Sequence, residues 1–100
     1  MIDEIIRKIR EGLYEYSRHA VDQSVVRMIS TKEIHEAIEH GKMTEDYPDD
    51  KYSPSCLIYG KTNEGRPIHV QCSYPARPLV KIITVYEPDP ALWINFEIRR

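Results

Sequence analysis

Five side chains in the second half of the sequence combine the groups that acid–base chemistry and base stacking require. They are Tyr59, His69, Gln71, Thr84 and Tyr86. A histidine ring titrates near neutral pH, so His69 can exchange a proton with a phosphodiester. The tyrosines can stack on unpaired bases. The same residues also fit a second interpretation, in which aromatic cross-strand pairs only stabilise an exposed sheet.

Two cations flank the turn that separates Tyr59 from His69 along the chain. Lys61 precedes this turn and Arg66 follows it. Mobile cations of this kind neutralise the charge that grows on a phosphate in the transition state. We therefore interpret His69, Arg66 and Tyr86 as candidate catalytic residues. The candidate substrate-binding residues are Lys61, Tyr59, Gln71 and Thr84.

A second histidine, His19, lies in the segment Ser17-Arg18-His19-Ala20, where we expect the first turn of a helix. The positive end of a helix dipole disfavours a protonated ring, so His19 can stay neutral and accept a proton. His19 is thus a fourth candidate catalytic residue. A partly buried histidine that anchors the helix to a sheet fits the segment equally well.

The sequence indicates neither a metal site nor a cofactor. Four acidic residues between positions 45 and 50 are typical of turns and solvated loops, and they lack the spacing of a calcium-binding loop. Cys56 and Cys72 lack the close pairing of zinc ligands. We predict no metal and no cofactor.

The elements that must position these residues begin with three helices. Apolar residues recur at helical spacing from Ile2, and Gly12 ends this first helix. Residues 14–16 are interpreted as a short extended link. Ser17 is the expected N-cap of a second helix. Ser30 and Glu33 form the capping box of a third, which runs to Gly41.

After Gly41 the apolar period changes from 3.6 to two, which predicts four strands. We expect them at 42–47, 55–61, 66–74 and 79–86, with 95–100 either as an edge strand or lying over the core. The turn Thr62-Asn63-Glu64-Gly65 fits a type I turn with Gly65 in the left-handed conformation.

This turn predicts the register of the hairpin on either side of it. If residues 62 and 66 face each other, Cys56 lies opposite Cys72 and Tyr59 lies opposite His69. The cysteine face should pack on the helices, with the thiols either free or joined in a disulfide. The histidine face should look away from them. We place Thr84 and Tyr86 on that same face and Lys81 on the opposite parity, at the margin of the sheet.

Length and charge limit the classes of protein that fit. One hundred residues form one domain, and no apolar run approaches the roughly 20 residues that span a bilayer. We therefore expect a cytoplasmic protein without a membrane partner. The 14 basic and 16 acidic residues give a net charge of −2, without the basic surplus of most nucleic-acid binders. Any site for RNA must then be a local basic patch.

Several segments, read together, resemble the family of bacterial and archaeal proteins described as domain of unknown function 4258. Their order and spacing carry the resemblance over about residues 14–94, so that residues 1–13 are a helical extension of a single domain, 1–100. They are Ser17-Arg18-His19-Ala20, Ile29-Ser30-Thr31-Lys32-Glu33-Ile34 running to Gly41, Asp46-Tyr47-Pro48-Asp49-Asp50-Lys51-Tyr52, Gly60-Lys61 with Gly65-Arg66-Pro67-Ile68-His69-Val70, and Thr84-Val85-Tyr86-Glu87-Pro88-Asp89.

The family is grouped with barnase-like, colicin-type and RelE-like ribonucleases, and this grouping implies a fold and an activity. The fold is α+β, with the N-terminal helices packed on one face of a four-stranded, mostly antiparallel curved sheet and the site on the other face. The implied protein is the toxin of a toxin–antitoxin pair, often beside a small zinc-finger antitoxin. His19, Thr84 and Tyr86 carry over from the matching motifs, and His69 and Arg66 from the hairpin.

Our leading hypothesis is a metal-independent endoribonuclease in which a 2′-hydroxyl attacks the adjacent phosphorus. The competing hypothesis is a non-catalytic interaction module that receives a partner segment at an exposed edge or helix groove. A domain that binds RNA without cleaving it is a third possibility, and salt-sensitive binding without turnover would distinguish it.

Overall fold

The structure is a computed structural model that describes residues 1–100. Three helices lie on one face of a five-stranded sheet, and a small two-stranded ribbon follows. The helices are α1 (Ile2–Arg10), α2 (Arg18–Val26) and α3 (Thr31–Glu39). The strands are β1 (Tyr14–Tyr16), β2 (Lys42–Tyr47), β3 (Ser55–Lys61), β4 (Pro67–Ser73), β5 (Val80–Tyr86), β6 (Trp93–Ile94) and β7 (Ile98–Arg99).

The predicted ends of the helices are confirmed by their hydrogen bonds. The Ser17 side chain accepts from the backbone N–H of Ala20. Ser30 and Glu33 form the reciprocal capping box of α3. Gly12 ends α1 with a φ of +75°, a conformation that favours glycine.

The sheet has the strand order β1-β5-β4-β3-β2, and β1 is parallel to β5. The expectation of four strands was therefore wrong, because residues 14–16 form a fifth strand rather than a link. β1 pairs with a strand more than sixty residues later in the chain. Three residues carry no periodicity of their own, so this pairing leaves no local signal in the sequence. The α+β class is confirmed, with a mixed sheet.

The predicted hairpin register is confirmed at every pair. Cys56 faces Cys72 and Tyr59 faces His69. Gly65 has a φ of +87°, as the turn requires. The two cysteines are free and buried, so the alternative of a disulfide is not the one observed.

The core lies between the helices and the cysteine face of the sheet. Its members come from all three helices and from β3, β4 and β5. α3 approaches β3 so closely that a Cβ placed on Gly60 would lie 1.7 Å from the carbonyl oxygen of Ala37. Only glycine fits at this crossing.

One extra residue in β5 changes which face of the sheet each side chain in the first half of this strand points to. Gln71 pairs with Thr84, whereas the next residue of β4, Cys72, pairs with Ile82. Ile83 is thus a β-bulge. Because of it, Lys81 lies on the same face as Gln71 and Thr84, and its predicted position at the opposite parity was wrong.

The face of the sheet turned away from the helices, which we call the open face, is partly covered. β6 and β7 pair with each other, and residues 93–99, which we call the C-terminal strap, lie over His69. Phe96 and Trp93 both contact the histidine ring. Of the two alternatives for the C-terminal segment, the structure shows the one in which it lies over the sheet.

None of the three helices has the length and apolar character needed to cross a bilayer.

Candidate functional site

A cleft of about 450 Å³ opens on the open face beside β5. It is larger than the two clefts near His40, of about 340 and 330 Å³. Residues from β1, the start of α2, the loops before β3 and β5, and the strands β4 and β5 line it. They are Glu15, Ser17, His19, Asp50, Tyr52, Ser53, Gln71, Ser73, Arg77, Leu79, Lys81 and Ile83.

His19 stands at one side of this cleft on a firmly held helix end. The Ser17 hydroxyl donates to the Ile83 carbonyl at 2.8 Å while accepting from the α2 backbone, so the helix start is tied to the bulge. His19 is exposed, and its Nε2 lies 3.1 Å from Thr84 Oγ1. A hydroxyl at this distance orients the ring and leaves Nδ1 for a ligand.

Gln71 of β4 pairs directly with Thr84 of β5, and a chain of hydrogen bonds fixes its amide. Ser55 Oγ donates to Asp50 Oδ2 at 2.6 Å, and Gln71 Nε2 donates to Ser55 Oγ at 3.1 Å and to Asp50 at 3.4 Å. An ionised carboxylate only accepts hydrogen bonds, so the amide nitrogen must face it. The carbonyl oxygen of Gln71 is therefore the atom left for a ligand.

Two cations, Lys81 and Arg77, line the cleft together with two acids, Glu15 and Asp50. Lys81 Nζ lies 4.0 Å from Glu15, in a loose pair in which both side chains are about half exposed. The backbone N–H of Lys81 donates to Ser73 Oγ at 2.9 Å. Arg77 forms no ion pair with any acidic side chain of the chain. Arg77 is therefore free to bind an anion, and Lys81 can exchange its loose contact with Glu15 for one.

An aromatic side chain completes the cleft at its outer rim. Tyr52 is 86% exposed and lies beside Lys51, whose Nζ is 5.6 Å from the ring centroid. An exposed tyrosine next to cations is typical of surfaces on which a base stacks.

His69 lies on the open face, as predicted, but not in the cleft and not in contact with solvent. It is 0% exposed, with Nδ1 3.1 Å from the Tyr86 hydroxyl and Nε2 donating to the Phe96 carbonyl at 2.6 Å. Burial lowers the pKa of His69, although the Phe96 carbonyl and Glu45 favour its charged form. The expectation of an accessible histidine fails because residues 93–99 cover it.

Tyr59 and Tyr86 belong to the same covered cluster. Their ring centroids lie 5.7 and 5.2 Å from that of His69, in edge-to-face geometry. Burial raises the pKa of both phenols. Tyr86 thus orients His69 rather than facing the cleft.

Arg66 and Lys61 lie away from the cleft as well. The Arg66 guanidinium contacts Glu33 at 3.1 Å and Glu87 at 3.3 Å, and also donates to the backbone carbonyl oxygens of Arg27 and Met28. Its donors are therefore occupied by structural partners. Lys61 is exposed at the far end of the hairpin, beside a separate small cleft.

Of the eight candidate residues, the structure brings together His19, Thr84 and Gln71. Sequence reasoning did not select the cations of this site. Lys81 was assigned to the wrong face because the bulge is invisible in the sequence. Arg77, between two prolines, carried no signal beyond its charge. No three or more histidine, cysteine, aspartate or glutamate side chains are grouped to hold a metal ion.

Residues 16–87 match the family described as domain of unknown function (DUF4258). The chain belongs to this family. The match runs from β1 through β5, so it includes His19, Gln71, Arg77 and Lys81, but neither α1 nor the C-terminal strap. No curated protein and no solved structure matches the chain.

Proposed function

We propose that this DUF4258 protein is a metal-independent endoribonuclease that uses the cleft beside β5, on a fold of the RelE-like group. One observation carries the proposal. His19, in the first turn of α2, lies 3.1 Å from the Thr84 hydroxyl at a cleft that also holds two cations, Arg77 and Lys81. A base, a group that orients it and cations for the phosphate are the parts that phosphodiester transesterification requires.

In the proposed reaction the 2′-hydroxyl of RNA attacks the adjacent phosphorus. His19 takes the hydroxyl proton at Nδ1 while Nε2–H donates to Thr84. The new 2′-O–P bond forms as the P–O5′ bond breaks, which leaves a cyclic phosphate, and water in the open cleft supplies the proton to the departing 5′-oxygen. Arg77 binds the phosphate in substrate and transition state alike, and Lys81 stabilises the extra charge on the phosphorane.

The remaining candidate residues have other roles in this proposal. Gln71 binds the ribose or base through its carbonyl oxygen. His69 with Tyr86, and Arg66 with Glu33, hold the fold, because their polar atoms are already engaged. Tyr52 takes over the stacking role that was expected of Tyr59.

Cleavage of RNA in the presence of a chelator tests the proposal. We expect His19→Ala to slow cleavage by about 10²–10⁴-fold, since it removes the general base. His40→Ala is the matched control, because His40 is exposed and lies outside the cleft; it should cleave at the rate of the unaltered protein. Equal rates for all three proteins would contradict the proposal.

Toxin activity held in check by a small zinc-finger antitoxin is part of the same proposal, and its support is the resemblance to the RelE-like group. Expression of the chain alone should arrest growth, and co-expression with the neighbouring gene product should relieve the arrest. Growth arrest that the His19→Ala variant reproduces would contradict a role for cleavage.

A second candidate function is a non-catalytic interaction module, and the outer surface of α2 favours it. Four apolar side chains of α2 and the turn after it are exposed: Val21 (46%), Val25 (71%), Val26 (76%) and Met28 (83%). Exposed apolar surface of this kind often marks a protein contact. A stable complex with a partner, without RNA cleavage or growth arrest, would support this second function over the first.

A further inference from the structure

The most unusual buried group outside the cleft is Lys8 of α1, which is 9% exposed. Its ammonium donates to three backbone carbonyls of the loop between β4 and β5: Pro75 at 2.9 Å, Arg77 at 2.5 Å and Pro78 at 3.4 Å. No carboxylate pairs with it. A buried ammonium whose donors are all directed at one loop stabilises that loop's conformation.

The loop has little else to hold its centre. Prolines at 75 and 78 remove two backbone donors, so the loop's own hydrogen bonds are few. Its two ends are fixed, because the Tyr74 N–H donates to the Pro54 carbonyl and the Val80 N–H donates to the Leu13 carbonyl. Between these ends the carbonyls converge on Lys8.

This loop carries Arg77, whose backbone oxygen binds Lys8 while its side chain lines the cleft. The guanidinium has no acidic partner, so its position depends on the backbone beneath it. α1 precedes the region that matches the family, residues 16–87. An element outside that region therefore holds one wall of the cleft.

We infer that Lys8 is a positioning residue, through which α1 sets the affinity of the cleft for RNA by holding Arg77 where it meets a phosphate. This inference rests on the proposed function, since it takes RNA as the occupant of the cleft. Loss of Lys8 should weaken the binding step and leave the chemistry at His19 intact.

A double-mutant cycle tests the inference by binding of a fluorescein-labelled single-stranded RNA, with His19→Ala as the background so that the RNA stays intact. We expect Lys8→Met and Arg77→Ala each to weaken binding about tenfold, as loss of one charge-assisted phosphate contact does. The double variant should be no weaker than Arg77→Ala alone. Lys32→Met, which removes an exposed charge of α3 outside the cleft, should change binding less than about twofold.

Two further readouts separate positioning from a general loss of structure. In the cleaving protein, Lys8→Met should raise KM with kcat unchanged. Hydrogen exchange should quicken at residues 74–81 and nowhere else. If Lys8→Met fails to fold, Lys8→Gln, which keeps an N–H donor, is measured in the same way.

Additive effects of Lys8→Met and Arg77→Ala, or an equal effect of Lys32→Met, would overturn the inference and leave the proposed function standing. Failure of the His19→Ala protein to bind RNA at all would overturn the proposed function instead. In that case hydrogen exchange still tests whether Lys8 holds the loop. Quicker exchange at residues 74–81 in Lys8→Met supports this role, and unchanged exchange refutes it.

Discussion

Arg66 and Arg77 look alike in the printed sequence, yet their surroundings differ completely. Arg66 joins α3, the end of β5 and the turn after α2 through Glu33, Glu87 and the Met28 carbonyl. Met28 has a φ of +55°, an uncommon conformation for a residue with a side chain. The bonds of Arg66 to this turn stabilise that conformation. Only the three-dimensional contacts separate a structural arginine from one that is free to bind a ligand.

The carboxylate that faces Arg66 should make stability depend on pH. The backbone N–H of Ser30 and, secondarily, Arg66 hold the pKa of Glu33 below its ordinary value of 4.5. The carboxylate therefore stabilises the folded state fully above that value, and this contribution is lost as the pH falls through the lowered pKa. Glu33→Gln should reduce the free energy of unfolding by about 1–3 kcal/mol at neutral pH and by less in acid.

Urea unfolding at a series of pH values measures this effect. Glu64→Gln, on the exposed turn, is the control and should alter stability by less than about 0.5 kcal/mol at any pH. If the free energy of unfolding of Glu33→Gln stays below that of the unaltered protein by the same amount into strong acid, the charge of Glu33 does not contribute to stability.

At the scale of elements, the parts of the fold that local chemistry determines were predictable. Ser17 and Ser30 marked two helix starts, and the turn at Gly65 set a register that holds at every pair of the hairpin. The parallel strand β1 and the bulge at Ile83 were not predictable. One depends on a strand distant in sequence, and the other on a single inserted residue with no characteristic composition.

The contact between α3 and β3 yields a prediction at this scale. Gly60→Ala should destabilise the protein by about 3 kcal/mol or more, because its Cβ would overlap the backbone of Ala37 and push the helix from the sheet. Gly65→Ala has open space around the new Cβ but a φ of +87°, so we expect a cost of only about 1 kcal/mol. Thermal or urea unfolding compares the two, and an equal cost would contradict the steric explanation.

At the scale of the molecule, the open face divides into a covered part and an open cleft, although the sequence predicted a single site there. Residues 93–99 cover His69 and the tyrosines beside it, whereas Gln71 lines the cleft with His19, whose ring contacts Thr84. The strap is fastened by ion pairs from Arg99 to Glu45 and from Lys42 to Glu97. Where a chain segment docks after the last long strand depends on the finished surface, so no local pattern predicted it.

The covered histidine should weaken the protein in mild acid. Burial lowers the pKa of His69 below 6.5 in the folded state, so the unfolded chain binds the proton more readily. The protein is therefore most stable above pH 6.5, and its stability falls as the pH drops from 6.5 toward the lowered pKa of His69. His69→Phe removes this titration and should flatten the fall of the unfolding free energy between about pH 6.5 and pH 5.

Urea unfolding across this range tests the expectation, and an unchanged slope in His69→Phe would contradict it. Some slope will remain because burial also lowers the pKa of His35. His35→Phe is therefore the matched variant, and the double variant should show the flattest profile.

The bulge at Ile83 has a consequence for comparing relatives of this chain. A relative one residue shorter between the positions of Thr84 and Lys81 would turn the equivalent lysine toward the helical layer, with the same amino-acid content. Strand length, rather than the number of basic residues, then decides which DUF4258 proteins place this lysine in the cleft. A sequence alignment that omits the one-residue gap between these positions would therefore hide the difference between the two kinds of relative.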